Sequence, residues 1–368
     1  MKKLRIAQIA PLIESVPPKK YGGTERVVYH LTEGLVEKGH EVTLFASGDS
    51  TTSARLISPV SSGLRLGEQA RSPILMHMLM LSRVYDEMAG EFDIIHSHLE
   101  YLTLPYAVRS GSAPTVLTMH GRLDSQDYAR VLKQYSKIPY VSISDSQRIP
   151  VPGINWVRTI YHGYPETLFD FNPDPEEYFL YLGRFSEEKR PDQAIMLARA
   201  CNIRLKIAAK IDPVDREYFK THIEPLLDNP LIEYVGEVGD QEKGVLLRNA
   251  KALLNTIDWP EPFGLVMIEA MACGTPVIVR RCGSASEVVT EGKSGFICDT
   301  RQDFIRAIHN IDSISRVGCR REFEKRFTLR HMADNYESLY YQLLTDSAAR
   351  NVTTNGSLVN GRAGEIAA

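Results

Sequence analysis

The sequence predicts an α/β protein made of two doubly wound parallel sheets. Three observations predict it. Short apolar runs alternate with helical stretches along most of the chain, which is the rhythm of repeated βα units. That rhythm breaks once, in the Pro-, Asp- and aromatic-rich segment around 165–175, and then resumes. The chain has 368 residues, the length of two domains of roughly 150 residues each.

Composition sets the class. Hydrophobic residues make up 43% and charged residues 24%, a globular balance that excludes a disordered, collagen-like or coiled-coil chain. Lys and Arg number 43 against 46 Asp and Glu, so nucleic acid is not an expected partner. The five cysteines are odd in number and none has C-x-x-C spacing, which argues against a disulfide framework or a cysteine zinc site. Arg5 and Gln8 interrupt the first apolar run, and no run approaches the ~20 residues of a membrane span. A cytoplasmic location is expected, with contact at the inner face of a membrane left open.

The elements follow in order. Residues 4–10 form a buried strand, and 11–23 a loop. Val27, Val28, Leu31 and Leu35 have helical spacing within 24–38, and Gly39 ends that helix. Strands are expected at 42–46, 94–96, 115–118, 140–143 and 157–160, with a helix at 74–89 whose methionines pack into the core. After the break, strands at 178–182, 204–209, 232–235, 252–255 and 276–279 alternate with helices at 191–201, 215–227, 241–249 and 264–273. Helices at 300–308 and 329–345 close the fold. The expected units are a Rossmann-like domain over 1–170, a second over 171–330, a helix over 331–346 packing back towards the first, and a disordered polar tail over 347–368.

Ligands of doubly wound sheets sit beyond the carboxyl ends of the strands. The residues there are Gly22, Gly23, His98, His120, Ser144, Gly183, Arg184, Lys189, Gly236, Glu261 and Gly264. Glycine, cations, His and Glu suit an anionic, hydroxyl-rich ligand. No G-x-G-x-x-G follows a strand, and Gly292-Lys293-Ser294 lacks the first P-loop glycine because position 287 is Glu. His96 and His98 share a strand face. Nothing nearby completes a ligand set, so no metal is assigned and they are expected to line a cleft.

Gly22-Gly23-Thr24-Glu25 opens a helix, either as a close backbone approach to an anion or as a loop with Thr24 as cap. Arg184 and Lys189 follow a strand and can neutralise a diphosphate. Glu261 precedes a helix and Glu269 lies inside it, ~12 Å further on, so the two carboxylates contact different parts of an extended ligand. Phe263, Gly264 and Leu265 offer N–H groups at the helix start. Glu269, among Leu265, Val266, Ile268 and Met271, needs a partner, and ribose hydroxyls would serve.

Together these segments resemble the retaining glycosyltransferases of family four, from Ile6 to about Leu344. The most specific is the Glu-x7-Glu motif, Glu261 to Glu269, followed by Ala-Met-Ala-Cys-Gly-Thr-Pro-Val. Gly22-Gly23-x-Glu25, Thr118-x-His120-Gly121, Ser142-x-Ser144 and Gly183-Arg184 through Lys189 fall in the family's order and spacing. The resemblance implies the GT-B fold, two Rossmann-like domains facing across a cleft, the first binding acceptor and the second nucleotide-sugar. It implies transfer of a hexosyl group from a UDP- or GDP-sugar to a hydroxyl of a glycan, lipid-linked sugar or small molecule, with no required cofactor.

Arg184 and Lys189 would bind the diphosphate, with Gly183 beside them. Glu269 would bind the ribose. Glu261, with the backbone of Phe263, Gly264 and Leu265, would hold the sugar and phosphate side. His120 would reach the donor sugar, and Gly22 and Gly23 would bring backbone to the phosphates or acceptor. The acceptor would be met by loops 11–23, 47–73 and 98–105. The chain has no Asp-x-Asp, which agrees with metal-independent transfer. It departs from the family pattern at Arg190 (usually Gly), His162 (usually Asn) and Ser284 (usually Gly). A sugar-nucleotide epimerase and a non-catalytic nucleotide-sugar-binding protein are the alternatives.

Overall fold

The computed structural model describes residues 2–20, 22–65, 72–109 and 113–360, with 350–360 as backbone alone. The first domain contains β1 (Arg5–Ile9), β2 (Glu41–Phe45), β3 (Arg55–Ile57), β4 (Ile94–Ser97), β5 (Thr115–Thr118), β6 (Tyr140–Ser142) and β7 (Trp156–Thr159). The second contains β8 (Phe179–Arg184), β9 (Leu205–Lys210), β10 (Ile232–Gly236), β11 (Ala252–Asn255), β12 (Val277–Arg280) and β13 (Gly295–Cys298). Their orders are β3-β2-β1-β4-β5-β6-β7 and β10-β9-β8-β11-β12-β13. The pairings are parallel, so helices cross over both faces and the central strands are apolar on both sides. Each order reverses at its first strand, between β1 and β4 and between β8 and β11. Those reversals open the crevices where ligands of such sheets bind.

Several elements escape the sequence reading. β3 and β13 are edge strands of three and four residues, too short to show a period. The helix Arg316–Arg326 buries only Cys319 and Phe323, which leaves little apolar stripe to detect. The helix Gln126–Gln134 likewise buries only Leu132. The helix expected at 74–89 is α-helical over Pro73–Ser82 and then widens into a π turn, Arg83–Glu87. The helix expected at 215–227 is interrupted by a π turn, Phe219–Ile223, just ahead of Pro225, which has no N–H to continue the ladder.

Met80 packs in the core as expected. Met78 does not: it is exposed with Ile74, Leu75 and Leu79 along one helix face. Among the described residues no helix is long and apolar enough to cross a membrane.

The last helix overlaps the segment over 347–368 expected to be a disordered tail. It runs Leu329–Asn360, and no proline interrupts it. Residues 361–368 lie outside the described residues. Met332, Tyr336, Leu339, Tyr340 and Leu343 of this helix are buried in one cluster with Leu4, Ile6, Val27 and Leu31 of the first domain. The chain thus passes between domains twice, and the passages lie side by side. Tyr164 N donates to Phe327 O at 3.0 Å, and Leu329 N donates to Tyr164 O at 2.7 Å. A Cβ on Gly163 would sit 2.2 Å from Thr328 O, so only glycine fits there.

Candidate functional site

All eleven residues assigned to the site from sequence line one cavity of about 610 Å³ between the domains. Gly22, Gly23 and His120 come from the first domain. Gly183 and Arg184 are the last residues of β8, past the strand end expected at 182, and Lys189 lies in the turn after it. Glu261, Phe263, Gly264, Leu265 and Glu269 follow β11. Of the other strand-end residues, His98 and Ser144 are buried away from the cavity. Ser144 Oγ instead accepts from Gln147 N at 3.1 Å. His96 is fully buried as well, so the expectation that the paired histidines line a cleft is wrong.

The helix Leu265–Ala272 begins at Gly264, whose φ of +81° is the left-handed conformation glycine adopts freely. Its one acidic side chain, Glu269, is 2% exposed. Tyr164 Oη donates to Oε1 at 3.0 Å and Lys243 Nζ at 2.7 Å, so the protein itself supplies half of the partners expected from a ligand. Oε2 is buried with no partner among the described residues. Lys243 Nζ also lies 3.1 Å from Asp240 Oδ1, and Asp240 pairs with Arg26 on the helix Gly23–Glu37. An ionic chain therefore joins Glu269 to the opposite domain.

The cations expected on a diphosphate are already paired. Arg184 meets Glu188 at 2.6 Å, Asp215 at 3.2 Å and Asp212 at 3.5 Å. Lys189 pairs with Glu261 Oε2, so two residues expected on different parts of the ligand touch each other. Trp259 Nε1 donates to the same oxygen at 2.7 Å, and its ring carries Lys189 Nζ at 4.6 Å and the Arg122 guanidinium at 4.8 Å. Arg190, in the place of the family's glycine, holds a left-handed φ of +51°, with its guanidinium 3.0 and 2.9 Å from the Asp192 oxygens.

Around His120 the backbone is clamped by one carboxylate. Glu100 Oε1 accepts from His120 N at 3.0 Å and Gly121 N at 2.7 Å, while Tyr128 donates to its other oxygen at 2.6 Å. Part of the loop expected to meet an acceptor thus faces inward. Burial holds the His120 imidazole neutral, with its pKa lowered to about 3. His162 stacks on it at 5.3 Å and meets the Phe263 ring edge-on at 4.9 Å. The His162 Nδ1 is buried without a partner among the described residues.

From the loops expected to meet an acceptor, Ile13, Glu14, Lys20 and Arg65 line the cavity, and Arg65 pairs with Glu14. Residues 66–71 of the 47–73 loop lie outside the described residues. Glu25, at the rim, has its carboxyl pushed up to about 6 by burial.

Sequence reasoning missed Arg26, Lys243, Tyr164, Trp259, His162 and Glu100 as contributors. Arg26 adjoins the Gly22-Gly23-x-Glu25 segment and was open to notice. Lys243 sits on a polar helix and carries no local signal.

The family description "Glycosyl transferases group 1" matches residues 166–325, and "Glycosyltransferase Family 4" matches 21–164. The chain is 24% identical to the O-antigen chain mannosyltransferase C of Escherichia coli, covering 89% of this chain and 96% of that protein. Among solved structures it is similar to AviGT4, a glycosyltransferase involved in avilamycin A biosynthesis. The TM-score is 0.72 at 23% identity over 93% of this chain and 98% of that one. The Anabaena protein HepE in complex with UDP and glucose gives a TM-score of 0.71 at 17% identity, over 92% and 100% of the two chains.

Proposed function

This chain belongs to the group 1 glycosyltransferases of family four, with the GT-B fold, and on that premise we propose that it transfers a hexosyl group from a nucleoside diphosphate sugar to an acceptor hydroxyl with retention at the anomeric carbon. Glu269 carries this reading. A buried carboxylate with one oxygen held by Tyr164 and Lys243 and the other unpartnered is completed by the hydroxyls of a ribose. The cavity volume suits a ligand of that size. The UDP and glucose in HepE support a UDP-sugar, with a GDP-sugar as the other donor to test.

Cleavage of the sugar–phosphate bond leaves negative charge on the departing diphosphate. Arg184, Lys189 and the N–H groups at Phe263, Gly264 and Leu265 meet that charge in this reading, with no metal required. The diphosphate oxygens displace Glu261 from Lys189, and the released carboxylate turns to the sugar hydroxyls. His120 contacts the sugar from the first domain. The acceptor lies towards Glu14, Lys20 and Arg65. The O-antigen relative supports a glycan, and the exposed face of Ile74, Leu75, Met78 and Leu79 supports one carried on a lipid, with the protein resting on the membrane surface.

The test supplies purified protein with UDP- and GDP-hexoses and an acceptor panel, and follows nucleoside diphosphate release with and without EDTA. Release with one donor, unaffected by EDTA, is expected. Glu269→Ala should raise the donor KM at least tenfold, and Arg184→Ala with Lys189→Ala should lower kcat by two orders of magnitude or more. Wild-type rates in the double variant would overturn the diphosphate assignment. Product without an acceptor would mean epimerisation or hydrolysis, and donor binding with no turnover a binding protein.

A further inference from the structure

Behind His120 runs a chain of buried polar groups that the proposed reaction does not use. His120 Nε2 is 2.8 Å from His98 Nδ1, and His98 Nε2 is 2.9 Å from Gln8 Oε1. Gln8 Nε2 donates to Tyr340 Oη at 3.1 Å and lies 3.4 Å from His96 Nδ1. Tyr340 Oη is 2.7 Å from that same Nδ1, and His96 Nε2 is 2.7 Å from Thr118 Oγ1. Gln8, His96, His98, Thr118 and Tyr340 are all buried.

With Gln8 Oε1 turned to His98 and Nε2 to Tyr340, the direction of each hydrogen bond follows. A carboxamide oxygen only accepts, so His98 Nε2 carries its proton and donates to it. A neutral imidazole has one N–H, so His98 Nδ1 is an acceptor. His120 Nε2 must then donate to it, which leaves His120 Nδ1 as a bare lone pair. At the far end, Tyr340 accepts from Gln8 and donates to His96 Nδ1, and His96 Nε2 donates to Thr118. Thr118 Oγ1 lies 2.9 Å from Tyr336 Oη, where the chain ends.

Burial keeps the imidazoles neutral, and no carboxylate among the described residues touches them. Burial lowers His96 and His120 to about 3 and His98 well below its ordinary value. Turning the Gln8 amide over would reverse every bond in the chain and place the His120 proton on Nδ1.

We propose that His98, held by Gln8 and Tyr340, is a positioning residue that fixes His120 as its Nε2–H tautomer, so that Nδ1 permanently offers a lone pair to a donor-sugar hydroxyl. This rests on the reading above that His120 contacts the donor. The opposite tautomer would present an N–H to a hydroxyl that needs an acceptor, and nothing else on the imidazole could replace it. Tyr340 belongs to the last helix, so a residue from the far end of the chain helps to set the protonation of a group at the cavity wall.

The test begins with nitrogen-15 NMR of histidine-labelled protein at neutral pH, assigned with His120→Ala. His120 is expected with Nε2 protonated and Nδ1 bare, and a protonated Nδ1 overturns the proposal whether or not the protein turns over a sugar donor. Kinetics follow. His98→Asn keeps an amide acceptor where Nδ1 stood and should stay within about threefold of wild type. His98→Phe removes it and should lower kcat by about ten- to a hundredfold with little change in donor KM. Equal rates in the two His98 variants overturn the relay. Full activity in His120→Ala instead removes the donor contact on which the proposal stands.

Discussion

At the residue scale, Glu269 and Lys243 show how a local motif depends on distant partners. The Glu-x7-Glu spacing is visible in the sequence, but the side chains that hold Glu269 are not. Lys243 lies 26 positions away and Tyr164 lies 105. Removing one member of a buried ion pair leaves the other charge uncompensated. Lys243→Met should therefore destabilise the protein by about 3 kcal/mol, and Lys243→Met with Glu269→Met by much less. Urea denaturation of the single and double variants checks this, and equal losses in both would refute the pairing. Glu100 teaches the same lesson: it clamps His120 from 20 positions away, and no periodicity encodes that contact.

At the element scale, the second domain's site is made by loops that hold one another. Gly283 has a φ of +57°, and a Cβ there would lie 2.4 Å from the backbone N and O of Glu261. Ser284 N donates to Glu261 O at 3.0 Å, and Ser284 Oγ donates to Phe263 O at 2.7 Å. The loop after β12 is thus the support for the loop after β11. Gly283→Ala should push Glu261 out of place and raise the donor KM by about tenfold or more, with the melting temperature lowered by only a few degrees. An unchanged KM would show that the Glu261 loop tolerates the displacement.

Most strands and long helices were legible in the sequence because apolar runs and helical periods are local signals. The edge strands β3 and β13, and the polar helix Arg316–Arg326, were not. Their formation rests on neighbours rather than on a period of their own.

At the scale of the whole molecule, burial lowers the pKa of six of the described histidines, His77 among them. Burial lowers His30 to about 4, His96 and His120 to about 3, and His98 and His162 well below the ordinary value. In the unfolded chain each takes a proton near pH 6.5. The unfolded state therefore binds more protons below that pH, and stability falls as pH drops from about 6.5 towards the folded values, by about 1.4 kcal/mol per unit for each histidine. Above about 6.5 their contribution is fully present. The urea midpoint should be flat between pH 7.5 and 7 and fall steeply by pH 5. A midpoint unchanged down to pH 5 would contradict this.

The last helix has a consequence for synthesis. Met332, Tyr336, Leu339, Tyr340 and Leu343 complete the cluster around Leu4, Ile6, Val27 and Leu31. Domains generally fold in the order the ribosome makes them. Here the first domain waits for residues translated after the second sheet, so its apolar face stays open on the nascent chain until Leu343 has been made. A ribosome stalled before Met332 would carry the strands of both sheets with the first domain half built, a substrate for chaperones rather than an early-folding unit.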